Sequence, residues 1–166
     1  MQKITPFLWF NDNAEEAVNF YVSVFSAKSG KPSKINSMTR YDEAGAQVSG
    51  RPAGTLMTAA FELDGQEFVA LNGGPVFKFT EAISFVVNCE TQDEVDYYWQ
   101  AFSEHGEKGQ CGWLKDKYGV SWQIVPTILG TLLGGSDPEK SQRVMKAMLQ
   151  MDKIDIEKLQ QAGEQG

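Results

Sequence analysis

The strongest constraint on this chain is that it states one pattern twice. Asn13 is followed by Glu16 and then by Ala17, Phe20, Tyr21 and Val24. Thr91, 78 positions after Asn13, is followed at the same spacings by Glu94, Val95, Tyr98, Trp99 and Phe102. Each run is a capping-box pattern leading into apolar residues at i, i+3, i+4 and i+7, which predicts a helix with one apolar stripe. A strand-like segment precedes each helix, Ile4 to Phe10 in the first copy and Ala82 to Cys89 in the second. After the first helix come Lys34 to Tyr41, Thr55 to Leu63 and Gln66 to Leu71, all of strand character, the last two joined by Asp64-Gly65, a hairpin signal. After the second come Glu107 to Lys115, holding one or two short strands, and Val120 to Val125, which follows Tyr118-Gly119 as Gln66 follows Asp64-Gly65. The reading is an α+β chain of two βαβββ modules, about 3–72 and 81–126, forming one domain over 1–126. Asp42 to Gly54 reads as a loop rich in Gly and Ala, and Asn72 to Glu81, with Gly-Gly-Pro, as an ordered turn between modules.

Residues 127–166 read as a helical extension. A short helix is expected over Thr127 to Leu133. Asp137 with Pro138 starts a second, with Val144, Met145, Met148 and Leu149 as its stripe, and Asp155 caps a third. Such a Met-rich stripe is a packing surface, within the chain or between subunits.

The formal charge of −7 and a pI near 4.7 argue against nucleic acid, since no cluster of Lys and Arg exists to track phosphates. The apolar runs are too short to span a bilayer, and the first residues lack the apolar core of a secretory signal, so the cytoplasm is the expected location. Cys89 and Cys111 fit that compartment as two reduced thiols without metal-site spacing.

One polar residue stands out in the last strand. Alternation puts Val120, Trp122 and Ile124 on one face and Ser121, Gln123 and Val125 on the other. A glutamine both donates and accepts, so on an inward face it can orient a neutral polar ligand. Phe7 and Trp9 share a face with Thr5, and Trp113 shares one with Cys111 and Lys115; these aromatics are either core or a stacking wall. Asn72 is read as bonding its own turn, His105 as a solvated helix-end residue, and Glu62 and Glu67 as solvated charges.

The segments LWFNDNAEEAVNFYVSVF (8–25), LNGGPVFKFTEAISF (71–85) and CGWLKDKYGVSWQIVP (111–126), set in two βαβββ units, resemble the vicinal oxygen chelate superfamily of glyoxalase-like and bleomycin-resistance proteins. They are most similar to its PhnB-like branch, the 3-demethylubiquinone-9 3-methyltransferase-like family. The resemblance implies that each unit curls into a half-barrel with its helix outside. A small-molecule cavity then lies within, lined here by Gln123, Ser121, Val125, Trp113, Cys111, Phe7, Trp9, Ser84 and Val69. Metal-dependent members hold a divalent ion there with His, Gln and Glu. At the matching positions this chain has Gln123, Val69, Ser84 and Thr5 or Pro6, which implies no metal site of that type and no cofactor. The expectation is a small-molecule binder comparable to the drug-sequestering members, with a metal-dependent lyase, isomerase or dioxygenase as the alternative. The methyltransferase label gains no support, because no strand leads through a glycine-rich loop into a helix suited to a nucleotide cofactor. Members of the branch commonly dimerise, often with exchanged elements, so a homodimer is expected.

Overall fold

A computed structural model describes residues 2–165, and its contacts divide the chain between Phe79 and Thr80 into two compact units. In the first unit the order is β1 (Phe7–Phe10), α1 (Ala14–Ser26), β2 (Lys34–Arg40), α2 (Glu43–Ser49), β3 (Leu56–Leu63) and β4 (Gln66–Asn72). These strands form a four-stranded sheet in the order β1-β4-β3-β2, with β1 and β4 parallel and the other pairs antiparallel. Asp64 and Gly65, at φ 49° and 79°, make the hairpin between β3 and β4; both central residues lie in the left-handed region that such a turn needs.

The helix stripe behaves as its periodicity demands. Ala17, Val18, Tyr21, Val24 and Phe25 are buried, and so are Leu8, Phe10, Ala59, Phe61, Leu63, Phe68 and Ala70, the alternate residues of the sheet face beneath α1. Phe61 and Phe68 are register partners on β3 and β4 and stack with ring centroids 5.4 Å apart. Burying each such side chain stabilises the unit by about 1.5–3 kcal/mol.

Three expectations for this unit need correction. Asn13 occupies the N-cap position but makes no side-chain cap bond. Asn72 does that work from the far end of β4. Its Oδ1 accepts from the Ala14 N–H at 2.8 Å, its Nδ2 donates to the Leu56 carbonyl at 3.1 Å, and its carbonyl accepts from the Tyr41 hydroxyl at 2.6 Å. Asn72 is buried, so its role is to join α1, β3 and the end of β2 rather than to bond its own turn. The segment expected to be a loop contains α2, with Asp42 accepting from the Gly45 N–H and Gly50 at φ 72° ending it.

The second unit follows with β5 (Ser84–Cys89), α3 (Gln92–Ser103), β6 (Glu107–Lys108), β7 (Trp113–Lys115) and β8 (Ser121–Pro126), then α4 (Ile128–Leu133), α5 (Pro138–Met148) and α6 (Ile156–Glu164). Its sheet has the order β5-β8-β7-β6, with β5 and β8 parallel, which repeats the topology of the first. Thr91 caps α3, accepting from the Glu94 N–H, while Glu94 reaches back to the Glu90 N–H at 2.6 Å. Val95, Tyr98, Trp99 and Phe102 bury the α3 stripe, and Phe102 stacks on Trp122 of β8 at 4.5 Å. Leu114, Trp122 and Ile124 therefore face the helix, which turns Trp113, Lys115, Ser121 and Gln123 to the opposite face.

The three C-terminal helices have their own core of Leu129, Val144, Ile154 and Leu159. They are fastened to the segment before β7 of the same unit by backbone bonds from the Cys111 and Gly112 N–H groups to the Met151 and Asp152 carbonyls, each 2.8 Å. Val125 packs against this cluster, so it is claimed by the extension rather than lining a cavity. Among the described residues no helix is long and apolar enough to cross a membrane.

Candidate functional site

Asp116 sets the geometry of the strand that carries Gln123. The carboxylate is 3% exposed, and Oδ1 accepts from the Tyr118 and Val120 N–H groups at 2.9 and 3.0 Å. Oδ2 accepts from the Trp122 indole N–H at 2.9 Å. The first bond is an Asx-turn, in which the side chain replaces a backbone acceptor, and Gly119 at φ 92° completes the reversal. Turn and strand are thus locked together, and the alternation of β8 has a fixed phase.

On the face away from α3, Gln123 donates from Nε2 to the Ser84 Oγ at 2.9 Å. Ser84 sits on β5, two residues before the register partner of Gln123, Val86. On the other side Gln123 is the cross-strand partner of Trp113. With its oxygen already accepting, the Ser84 hydroxyl keeps its proton to donate, and Gln123 Oε1 is open to accept. The face thus offers one donor and one acceptor beside an indole ring.

Ser121 lies one step along the same face, with Ser84 and Lys115 as its cross-strand partners. It is 2% exposed, and its Oγ has no hydrogen-bond partner. A buried hydroxyl without a partner is unusual, at a cost of about 1–3 kcal/mol. Beside it is a pocket of about 130 Å³, lined by Ser121, Trp113, Lys115 and Glu81 among others. Lys115 and Glu81, both in its lining, pair at 2.5 Å. This bond holds the Glu81 carboxyl below its usual range and the Lys115 ammonium above its own.

The remaining sequence-derived candidates lie elsewhere or play other parts. Cys111 meets the C-terminal extension: its Sγ approaches the Met148 carbonyl at 3.6 Å, and Cys111 and Gly112, at φ 58° and 83°, precede the regular strand β7. In the first unit Trp9 donates from its indole N–H to the Gly74 carbonyl at 2.9 Å and meets the Phe77 ring edge-on. A Cβ at Gly73 would lie 2.2 Å from the Trp9 ring, so the turn after β4 closes directly over that indole. Trp9 is therefore an anchor of the turn. Phe7 is 58% exposed, and Val69, half-buried, is its register partner. Those two share the face of the first sheet away from α1, the counterpart in that unit of the Gln123 face.

A larger hollow of about 510 Å³ lies between the start of α3 and the start of α6. Several of its polar groups are engaged with each other. Gln92 donates to Asp96 and the Ile154 carbonyl and accepts from the Ile156 N–H, and Lys153 pairs with Asp96 at 2.8 Å. It reads as a joint between helix and extension. Burial first, then the charges of Glu94 and Glu90, push the Cys89 thiol up to about 12, which removes it as a nucleophile.

The positions that the resemblance matches to metal ligands carry the Gln123 amide, the Ser84 hydroxyl, Val69 and Thr5 or Pro6, a set without carboxylate or imidazole. Among the described residues no group of three His, Cys, Asp or Glu could hold a metal ion.

Three comparisons bear on what the chain is. Residues 2–125 match the family model described as 3-demethylubiquinone-9 3-methyltransferase. No curated protein matches. Among solved structures, one from Bacillus cereus, described as a candidate 3-demethylubiquinone-9 3-methyltransferase and PhnB protein, is 40% identical, covers 76% of this chain and 100% of its own, and has a TM-score of 0.66. A Pseudomonas aeruginosa protein at 20% identity covers 76% of this chain and 98% of its own with a TM-score of 0.58, a likeness of fold.

Proposed function

Because this chain belongs to the family described as 3-demethylubiquinone-9 3-methyltransferase, with the glyoxalase-type fold of its PhnB-like members, we propose that it binds a small organic molecule on the Gln123 face without a divalent metal. The observation that carries this reading is the amide of Gln123, held by Ser84 at 2.9 Å with its carbonyl left open beside Trp113. Such a pair recognises a neutral group that both donates and accepts, and the indole supplies a stacking wall. A planar carboxamide has that chemistry.

The reading departs from the family's descriptive label. A methyl donor bearing a nucleoside calls for a glycine-rich turn into an open helix N-terminus. Here the Ala14 N–H at the start of α1 is taken by Asn72, and the start of α3 by Thr91 and Glu94. The two unpaired cysteines agree with a cytoplasmic setting. Exposed apolar side chains on the edge strand of each sheet, Phe7 on β1 and Val86 on β5, support a homodimer, which light scattering would test.

The binding reading is tested with benzamide, followed by tryptophan fluorescence, alongside titration with manganese, nickel and zinc. Saturable benzamide binding, weakened about tenfold or more by Gln123→Leu, is expected. Tight stoichiometric metal binding, or unchanged benzamide affinity in Gln123→Leu, would contradict it.

A further inference from the structure

We infer that the pocket beside Ser121 is a carboxylate subsite, so that the ligand is a small anion whose acid group takes the place of Glu81 on Lys115 and accepts from the Ser121 hydroxyl. This rests on the Gln123-face reading and adds a ligand class to it. Three features converge.

The first is the orphan hydroxyl. Ser121 is 2% exposed, and its Oγ is buried without a partner. Its two cross-strand neighbours do not meet it as they stand: Ser84 is bonded to Gln123, and Lys115 is drawn to Glu81. A hydroxyl in that position has a proton to give and no acceptor to take it.

The second is the ion pair. Glu81 lies three residues before Ser84, ahead of β5, and reaches Lys115 on β7, so the pair bridges the two sides of the intervening β8 that carries Ser121, and all three residues line the pocket. Both side chains are substantially solvated, 31% and 62% exposed, and an exposed pair of this kind is worth little. Glu81 can therefore be exchanged at small cost. Its carboxylate also marks where an acid group can sit on this lysine.

The third is size. The pocket of about 130 Å³ has room for about four waters at ~30 Å³ each, far less than a drug-sized ligand fills. It suits one functional group rather than a whole molecule. A carboxylate there would accept from Lys115 and Ser121 while the rest of the ligand extends along the face past Trp113 toward Gln123 and Ser84. One charged contact from Lys115 and one hydroxyl from Ser121 would then set the preference for acids over amides of the same shape.

The experiment compares 4-carbamoylbenzoate with terephthalamide, its neutral isostere, by titration on the full chain at low salt; both carry a carboxamide for Gln123, and only the first carries an acid for the subsite. The acid is expected to bind about tenfold tighter, the factor ascribed to one hydrogen bond to a charged group. Lys115→Met should remove that preference. Glu81→Gln should strengthen binding of the acid several-fold by freeing the lysine, a gain that a misfolded variant would not produce. Ser121→Ala should weaken the acid more than the diamide. Equal affinities for the two probes, with both still dependent on Gln123, would overturn the carboxylate subsite alone. Absence of binding by either probe would overturn the inference together with the reading beneath it.

Discussion

Replacing Asp116 by Asn tests whether one buried carboxylate holds the functional strand in place. The carboxylate accepts three N–H groups, from Tyr118, Val120 and the Trp122 indole, at 2.9, 3.0 and 2.9 Å. An amide of the same shape cannot do this. With its oxygen on the two backbone groups, its NH2 faces the indole N–H; flipped, it faces the two backbone donors. The better orientation leaves one buried donor unsatisfied, at about 1–3 kcal/mol, and weakens two charge-assisted bonds. Relief of the buried charge offsets part of this, so the net loss should be about 2–3 kcal/mol. Urea denaturation followed by far-ultraviolet circular dichroism measures it, with Trp122→Phe and the double variant closing a mutant cycle. A coupling of at least ~1 kcal/mol between the two sites is expected. A loss below ~0.5 kcal/mol for Asp116→Asn, or strictly additive variants, would refute the claim that this carboxylate locks turn to strand.

Three further outcomes are expected. Asn72→Ala leaves the Ala14 N–H and the Leu56 carbonyl without their bonds, and should cost about 2–4 kcal/mol in the same assay; Asn13→Ala, which removes no cap bond, should cost far less. Cys89 has its pKa raised from 9.0 to about 12, so the unfolded chain loses that proton first; stability should be intact below pH 9 and fall by up to about 1.4 kcal/mol per unit until about pH 12, a slope that Cys89→Ala should flatten in denaturation series across that range. Leu159 is fully buried in the core of the extension, and Leu159→Ala should destabilise by about 2–5 kcal/mol and speed amide exchange at Cys111 and Gly112, which bond to Met151 and Asp152.

What could be read without coordinates was whatever repeats or alternates locally. The two stripes, from Ala17 to Val24 and from Val95 to Phe102, mark helices because a 3.6-residue period leaves a signature within one element. Gln123 could be assigned a face because strand alternation is equally local, and Trp122 stacking on Phe102 shows the phase was right. Failures came where a distant part of the chain decided. Asn72 caps a helix 58 residues away, a pairing that spacing cannot reveal. Cys111 and Val125 both meet an extension whose docking side has no periodic signature. α2 carried readable punctuation in Asp42 and Gly50, but it buries no residue, so it lacks the apolar stripe by which helices are recognised. For Asp116 the signal was present as an Asp three residues before a Gly, though its bond to Trp122 needed the fold.

The central claim is that a small molecule binds across Gln123, Ser84 and Trp113. The most direct measurement is a nitrogen–proton NMR titration of the labelled full chain with benzamide, watching the Gln123 side-chain amide and the Trp113 indole N–H. The account predicts saturable shifts at both, with the Trp9 indole, closed under Gly73 and bonded to Gly74, unmoved. Saturable binding that leaves Gln123 and Trp113 unshifted, or that moves the signals around Gln92 and Lys153 instead, would contradict it.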